Sequence, residues 1–346
     1  MEQNRVLTFG EIMLRLSPPN FSRFTQARSF DVIYGGGEAN VAVSLANFGI
    51  PVDYVTRLPN NEIGEACIQY LRQFGVNTNK IIRGGDRLGI YFLETGASTR
   101  SSKVIYDRAN SAIATATPDM FDWEKIFDGI TWFHWTGITP AISQNLADIC
   151  LDAVKTARRK GIIISCDLNY RSKLWKYGKK PSEIMPELIN YCDVAIGNEE
   201  DADKVLGIKA PDTNIISGEI DATKYEHVVK EIKKRFPNLN YIAITLRGSI
   251  SASHNTWSGV IYDGKEMLIG PQYDITHIVD RVGGGDSFMG GLIYGLLTKK
   301  DDLNYTLRFA LAASCLKHTI FGDFNLVSTE EVLKLMKGDV SGRVSR

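Results

Sequence analysis

Three residues without side chains precede a carboxylate at Gly283-Gly284-Gly285-Asp286. Apolar residues at helical spacing follow. Phe288, Leu292 and Leu296 share one stripe, with Met289, Ile293 and Leu297 beside it. The spacing predicts a loop that runs into a buried helix, with Gly290, Gly291 and Gly295 letting another backbone pack close. A helix N-terminus offers unpaired N–H groups and a partial positive charge. Bare glycines let those N–H groups wrap an anion. Asp286 then has two possible roles. It can cap the helix, or it can take a proton from a hydroxyl attacking a phosphate held there. The string alone leaves both open. It is not a Walker loop, because no Gly-Lys-Ser/Thr closes it, and its position and spacing exclude a dinucleotide fingerprint.

A second cluster, "GGGEAN" at 35–40, opens another helical pattern. It reads equally as a loop before an N-capped helix or as a close backbone approach to a ligand, with Asn40 bonding hydroxyls. The five histidines show no ligand spacing, and His134 in an apolar strand reads as a core residue. The five cysteines are dispersed and lack a CxxC pair, which argues against disulfides and zinc. Most stand in apolar surroundings, and Cys166 has no visible activating partner.

The elements that must hold these residues alternate. β-rich runs at 5–10, 52–57, 130–135, 162–167, 193–197 and 241–246 are separated by helical patterns, clearest at 38–48, 61–74, 143–160, 222–235 and 303–318. Such alternation predicts an α/β fold with a mostly parallel sheet, helices on both faces, and ligands beyond the strands' carboxyl ends. Residues 11–34 and 87–110 break the rhythm. The second stretch has two β-type runs around a Gly/Ser/Thr-rich turn, so the two together are expected to form a small discontinuous β lid. Residues 207–221 read as a long surface loop. With 40 basic and 40 acidic residues, no nucleic-acid partner is expected. No stretch has the length of a membrane span or the pattern of a signal peptide, so a cytoplasmic protein without a membrane partner is expected.

Together, "GGGEANVA" (35–42) and "DRVGGGD" (280–286) resemble the two signature motifs of the ribokinase-like (PfkB) carbohydrate kinases. The resemblance runs over the whole chain, 1–346. It includes "GNEEDADKVLG" (197–207), similar to that family's Asn-x-x-Glu magnesium motif, and "ITLRGS" (244–249), similar to its strand near the nucleotide. Arg281 stands where the family usually has threonine, Gly284 where it has alanine, and Asp201 where it often has glutamate. "GEIMLRLSPP", "YDRANSA", "DLNYRSKLW" and "FGDFN" look most like the 2-keto-3-deoxygluconate kinases within the family.

The resemblance implies a three-layer α/β/α sandwich with a small β lid. It implies ATP and Mg2+, with a monovalent cation as a further candidate, and a sugar acid as acceptor. Asp286 would be the base and Gly283, Gly284 and Gly285 the anion hole. Gly36, Asn40, Tyr91, Tyr106, Arg108, Arg171 and Asp323 would bind the sugar. Asn198, Thr245, Arg247 and Gly248 would border the nucleotide, and Asp201 would reach the metal through water. Two arginines suit a carboxylate-bearing sugar, because guanidinium pairs with carboxylate in a bidentate way. Each could instead make a structural ion pair, and Tyr91 and Tyr106 could be ordinary sheet aromatics. Exposed lid strands predict a homo-oligomer. The rival readings are a kinase for another sugar such as fructose, ribose or a galactonate-series acid, a non-catalytic sugar-acid sensor, and a nicotinamide dehydrogenase.

Overall fold

The computed structural model describes residues 4–209 and 222–339. Six strands form the parallel heart of the main sheet, in the order Tyr241–Ser249, Val194–Gly197, Ile163–Asp167, Trp132–Thr136, Val6–Phe9 and Val52–Val55. Their side chains alternate between two apolar layers. Val6 and Trp132 enter one core, whereas Leu7 and Phe133 enter the other. Helices Gln144–Arg159, Pro181–Ile189, Glu199–Leu206 and Ala222–Arg235 cover one face. Helices Gly37–Asn47, Glu62–Gln73, Gly284–Thr298 and Leu303–Lys317 cover the other. The result is a three-layer α/β/α sandwich.

Every strand and helix expected from periodicity is present. Helix starts carry side-chain caps where the sequence supplies them: Ser143 accepts from Leu146 N at 3.2 Å, and Asp302 accepts from Tyr305 N at 2.8 Å. Three strands of the main sheet were not predicted. Asn255–Tyr262 runs antiparallel beside Tyr241–Ser249, and Met267–Ile269 and Tyr273–Ile275 pair with it. The first of these is buried along its whole length yet includes Asn255, Thr256 and Ser258. Polar residues dilute its apolar run, and burial on both faces removes the alternation. Of the loop expected at 207–221, residues 210–221 lie outside the described residues.

The two irregular insertions form a separate four-stranded sheet, in the order Asp31–Gly35, Met13–Ser17, Ile90–Glu94 and Lys103–Asp107. One buried side chain ties this small sheet to the body. Arg15, fully buried, pairs with Asp280 at 2.6 Å and with Asp323 at 2.8 Å. Burial pulls the Arg15 pKa down, but the charges of Asp323 and Asp280 outweigh it, and the net shift is upward.

Cys67, Cys150, Cys166 and Cys192 are buried, unpaired core residues, and Cys315 is half-buried. His134 is also in the core. Its Nδ1 lies 3.0 Å from Ser165 Oγ, and burial lowers its pKa to about 3, which keeps the ring neutral. Among the described residues no helix is long and apolar enough to cross a membrane.

The glycine-rich helix packs against its neighbours through bare backbone. A Cβ on Gly291 would lie 2.7 Å from Ala310 Cα, one on Gly290 2.6 Å from Ser44 Cβ, and one on Gly295 2.8 Å from Thr306 Cα. The close approach expected at these three glycines is therefore real. Gly291→Val should destabilise the protein by about 1–3 kcal/mol or more through overpacking. Chemical denaturation would read this as a lower midpoint, and an unchanged midpoint would contradict the packing described.

Candidate active site

A cleft of about 920 Å3 opens at the carboxyl ends of strands Ile163–Asp167, Val194–Gly197 and Tyr241–Ser249, roofed in part by the small sheet. The glycine loop lies in its wall. Gly283 has φ 82°, and a Cβ there would come within 2.0 Å of the Asp323 carbonyl oxygen, so only glycine fits. The first bond into the helix runs from Ser287 N to Gly283 O, at 2.8 Å. The amides of Gly284, Gly285 and Asp286 precede it and donate to no acceptor among the described residues. These are the N–H groups that a helix start offers an anion.

Asp286 does not cap the helix. The cap residue is Gly283, and no side-chain capping bond exists there. Its Oδ2 instead accepts from Asn40 Nδ2 at 2.6 Å, and Asn40 Oδ1 accepts from Gly36 N at 3.2 Å. The two glycine clusters, some 246 residues apart, thus meet through one hydrogen bond. Gly36 is pressed against Glu11, and a Cβ there would lie 2.0 Å from the Glu11 carbonyl oxygen. The protein around the Asp286 carboxyl raises its pKa to about 6, against the opposing pull of Asn40 and Arg171. Behind it, Glu38 is fully buried and its Oε1 accepts from Thr136 N, Thr136 Oγ1 and Thr139 Oγ1 at 3.1, 2.8 and 2.9 Å. Burial raises the Glu38 pKa to about 7.

Of the residues expected to bind the sugar, Gly36, Asn40, Tyr91, Tyr106, Arg171 and Asp323 line the cleft. Arg171 is exposed to it, and its one hydrogen bond among the described residues runs to the Tyr170 carbonyl at 2.8 Å. Tyr91 and Asp323 are less free. Tyr91 Oη donates to Asp323 Oδ2 at 2.5 Å, and Arg15 takes Asp323 Oδ1. Arg108 is held differently. It lies outside the cleft lining and pairs with buried Glu11, which also accepts from Ser111 Oγ at 2.6 Å. This is the structural ion pair that the sequence left open.

Asn198, Thr245 and Arg247 line the far end, but Gly248 does not. Arg247 opens onto the cleft with its guanidinium 5.0 Å from the Trp257 ring centroid. Surrounding protein, then the like charges of Arg281 and Arg171, lower its pKa to about 10. Asp201 is engaged by backbone. It is 4% exposed, and its two oxygens accept from Tyr170 N at 2.7 Å and Asn198 N at 2.8 Å. It closes a capping box with Asn198, whose Oδ1 accepts from Asp201 N at 3.0 Å. Its carboxylate is spent on backbone before any metal arrives. Among the described residues no group of three His, Cys, Asp or Glu side chains is poised for a metal.

Asp167 and Asn169, also in the cleft, were not singled out. Asn169 sits at φ 42°, donates Nδ2 to Asp167 Oδ2 at 3.2 Å, and keeps a buried Oδ1 without a partner. Burial, then the charges of Asp201 and Asp286, hold the Asp167 carboxyl well above its usual range. The signal was present: a polar "DLN" terminates an apolar strand at the sheet's carboxyl edge.

The model of the pfkB family carbohydrate kinases matches residues 3–324. A 2-dehydro-3-deoxygalactonokinase of Haloferax volcanii is 31% identical over 97% of this chain and 98% of its own. A 2-dehydro-3-deoxygluconokinase of Bacillus subtilis is 27% identical over 94% and 93%. The crystal structure of a 2-dehydro-3-deoxygluconokinase from Thermotoga maritima superposes with a TM-score of 0.91 at 50% identity, over 97% of this chain and 99% of that one.

A reaction in which Asp286 takes up a hydroxyl proton runs only with its carboxylate ionised. The kcat/KM of such a reaction should fall about tenfold per pH unit below about 6. Arg171→Ala removes a cation that favours the ionised form and should move this acid limb upward. Asp286→Asn should abolish the limb and lower kcat by about 10²–10⁴-fold. A pH–rate series on the three proteins checks this, and an unmoved limb in the arginine variant would count against the electrostatics described.

Proposed function

We propose a function from one premise: the chain belongs to the pfkB family of carbohydrate kinases. It is a carbohydrate kinase, and kinases of this family use ATP with magnesium. The acceptor we infer is 2-keto-3-deoxygluconate, phosphorylated on its terminal primary hydroxyl to give 2-keto-3-deoxy-6-phosphogluconate. One observation carries this reading. Arg171 enters the same cleft as Asp286 with most of its N–H groups uncommitted, so a sugar carboxylate and a sugar hydroxyl can be held at once. The names of the Bacillus and Thermotoga relatives agree with it. The galactonate epimer is the second reading, favoured by the name of the Haloferax relative.

In this mechanism Asn40 orients Asp286, and Asp286 accepts the proton of the attacking hydroxyl as the oxygen bonds to phosphorus. The amides of Gly284, Gly285 and Asp286, reached through the tight turn at Gly283, receive the charge on the transferring phosphoryl. Bound Mg-ATP supplies that phosphoryl, with its charge partly neutralised by the metal. Tyr106 and Tyr91 wall the sugar, and the Asp323 carboxylate, held by Arg15, limits the space beside it. The small sheet acts as a lid that keeps water from the phosphoryl.

A coupled ADP-release assay across both keto-deoxy epimers, fructose, ribose and a neutral analogue tests the substrate. Turnover should be highest with one of the two acids. Arg171→Ala should weaken the acid by about tenfold or more relative to the neutral analogue. Equal losses for both would remove the carboxylate grip, and preference for a neutral sugar would overturn the reading.

The small sheet's outer strands expose Val32 and Ile105, 60% and 54% accessible, beside unpaired strand edges. Apolar edges of this kind favour pairing between copies, so a homo-oligomer joined through the lid is part of the proposal. Sedimentation at micromolar concentration should show a dimer or larger species, and Ile105→Lys should shift it toward monomer. A wild-type protein that sediments as a monomer would sink this part.

A further inference from the structure

The cleft holds two arginines that the mechanism above does not use. Arg281 directly follows Asp280 in the chain, yet Asp280 pairs with Arg15 instead. Neither Arg281 nor Arg247 has a carboxylate at ion-pair distance among the described residues, although both line the cleft. They are close enough that the charge of Arg281 opposes that of Arg247. Two guanidiniums beside each other without a counter-ion destabilise a folded protein, and the arrangement is sensible where an anion arrives to join them.

Both are held in place. Asn255 is fully buried at the start of strand Asn255–Tyr262. In the amide orientation that satisfies both its ends, its nitrogen donates to His254 O at 2.9 Å and Ser251 O at 3.3 Å, and its oxygen accepts from Arg281 Nη2 at 3.0 Å. Arg247 lies over Trp257, two residues along the same strand, and Trp257 also lines the cleft. One antiparallel strand thus supports both guanidiniums. A single bond to Asn255 leaves Arg281 with N–H groups for a ligand.

We propose that Arg281 and Arg247 form a two-guanidinium clamp for the diphosphate part of the nucleotide, with Asn255 and Trp257 as its supports. The proposal rests on the kinase reading above and assigns to this site the phosphates that remain behind. The amides of Gly284, Gly285 and Asp286 take the phosphoryl that moves. The clamp takes the two that become ADP: Arg281, next to the glycine loop, faces the β-phosphate and Arg247 the α-phosphate, each guanidinium able to meet phosphate oxygens in a bidentate way. The arginine in the signature motif is then a nucleotide-binding residue.

The test is calorimetric titration of the wild type, Arg281→Thr and Arg281→Lys with Mg-ADP, AMP and inorganic pyrophosphate. Arg281→Thr should weaken ADP and pyrophosphate by about ten- to a hundredfold and leave AMP within about twofold. Arg281→Lys should recover part of the loss, since the charge remains but the fork does not. Binding of the sugar acid should not change in either variant. Unchanged ADP affinity in Arg281→Thr would overturn the clamp alone. Equal loss for AMP and ADP would overturn it too, placing the guanidinium on the α-phosphate. A wild-type protein that binds none of the three probes would remove the kinase reading together with the clamp.

Discussion

The buried guanidinium of Arg15 organises the site. It leaves the small sheet, enters the body, and bonds two carboxylates from different parts of the chain. Asp280 lies just before the glycine loop, and Asp323 follows the last long helix. Each has a second task. Asp280 accepts from Val282 N at 3.0 Å and Gly322 N at 3.2 Å, so it braces both segments. Asp323 receives Tyr91 from the small sheet, and its carbonyl touches the turn at Gly283. Lys317, also buried, donates to the carbonyls of Asp280 and Ile320 at 3.4 and 3.1 Å. Breaking one member of such a cluster leaves an uncompensated buried charge, a loss of about 3–5 kcal/mol. The position of the unpaired amides at the helix start thus depends on an arginine in the small sheet.

The same cleft separates charge by function. Its fixed carboxylates are largely spent: Asp323 on Arg15 and Tyr91, Asp201 on two backbone amides, and Asp167 on Asn169. Asp286 keeps a single hydrogen bond, to Asn40, and faces Arg171. It is therefore the carboxylate best able to accept a proton without disturbing the fold. The cations show the reverse pattern. Arg15 is fully committed, while Arg171, Arg247 and Arg281 face the cleft without carboxylate partners among the described residues. The proposed function, with a nucleotide polyphosphate and a sugar acid in one cleft, calls for such available positive charge.

Much of this was legible in the chain. The parallel strands announced themselves as short apolar runs, and the helices as 3.6-residue stripes, because both are buried against a continuous core. The glycine loop was legible because bare residues before a helix serve few purposes other than close approach. Strand Asn255–Tyr262 was not, because it hides Asn255, Thr256 and Ser258 inside an otherwise apolar interior. Arg108 and Asp201 show what local spacing leaves out. Their residue types suit ligand binding, but Glu11 and the backbone amides of Asn198 and Tyr170 reached them first.

The sequence by itself determined the layered α/β architecture, the insertions that build the small sheet, and the candidate loop and base. These rest on local spacing, which survives any tertiary arrangement. Only the tertiary structure decided what each polar side chain does. It turned Asp286 from a possible cap into a free carboxylate bonded to Asn40, tied Arg108 to Glu11, and buried Arg15 between Asp280 and Asp323. The reason is physical. The role of a charged group is set by which opposite charge lies within a few ångströms, and those partners stand up to 308 residues apart in the chain.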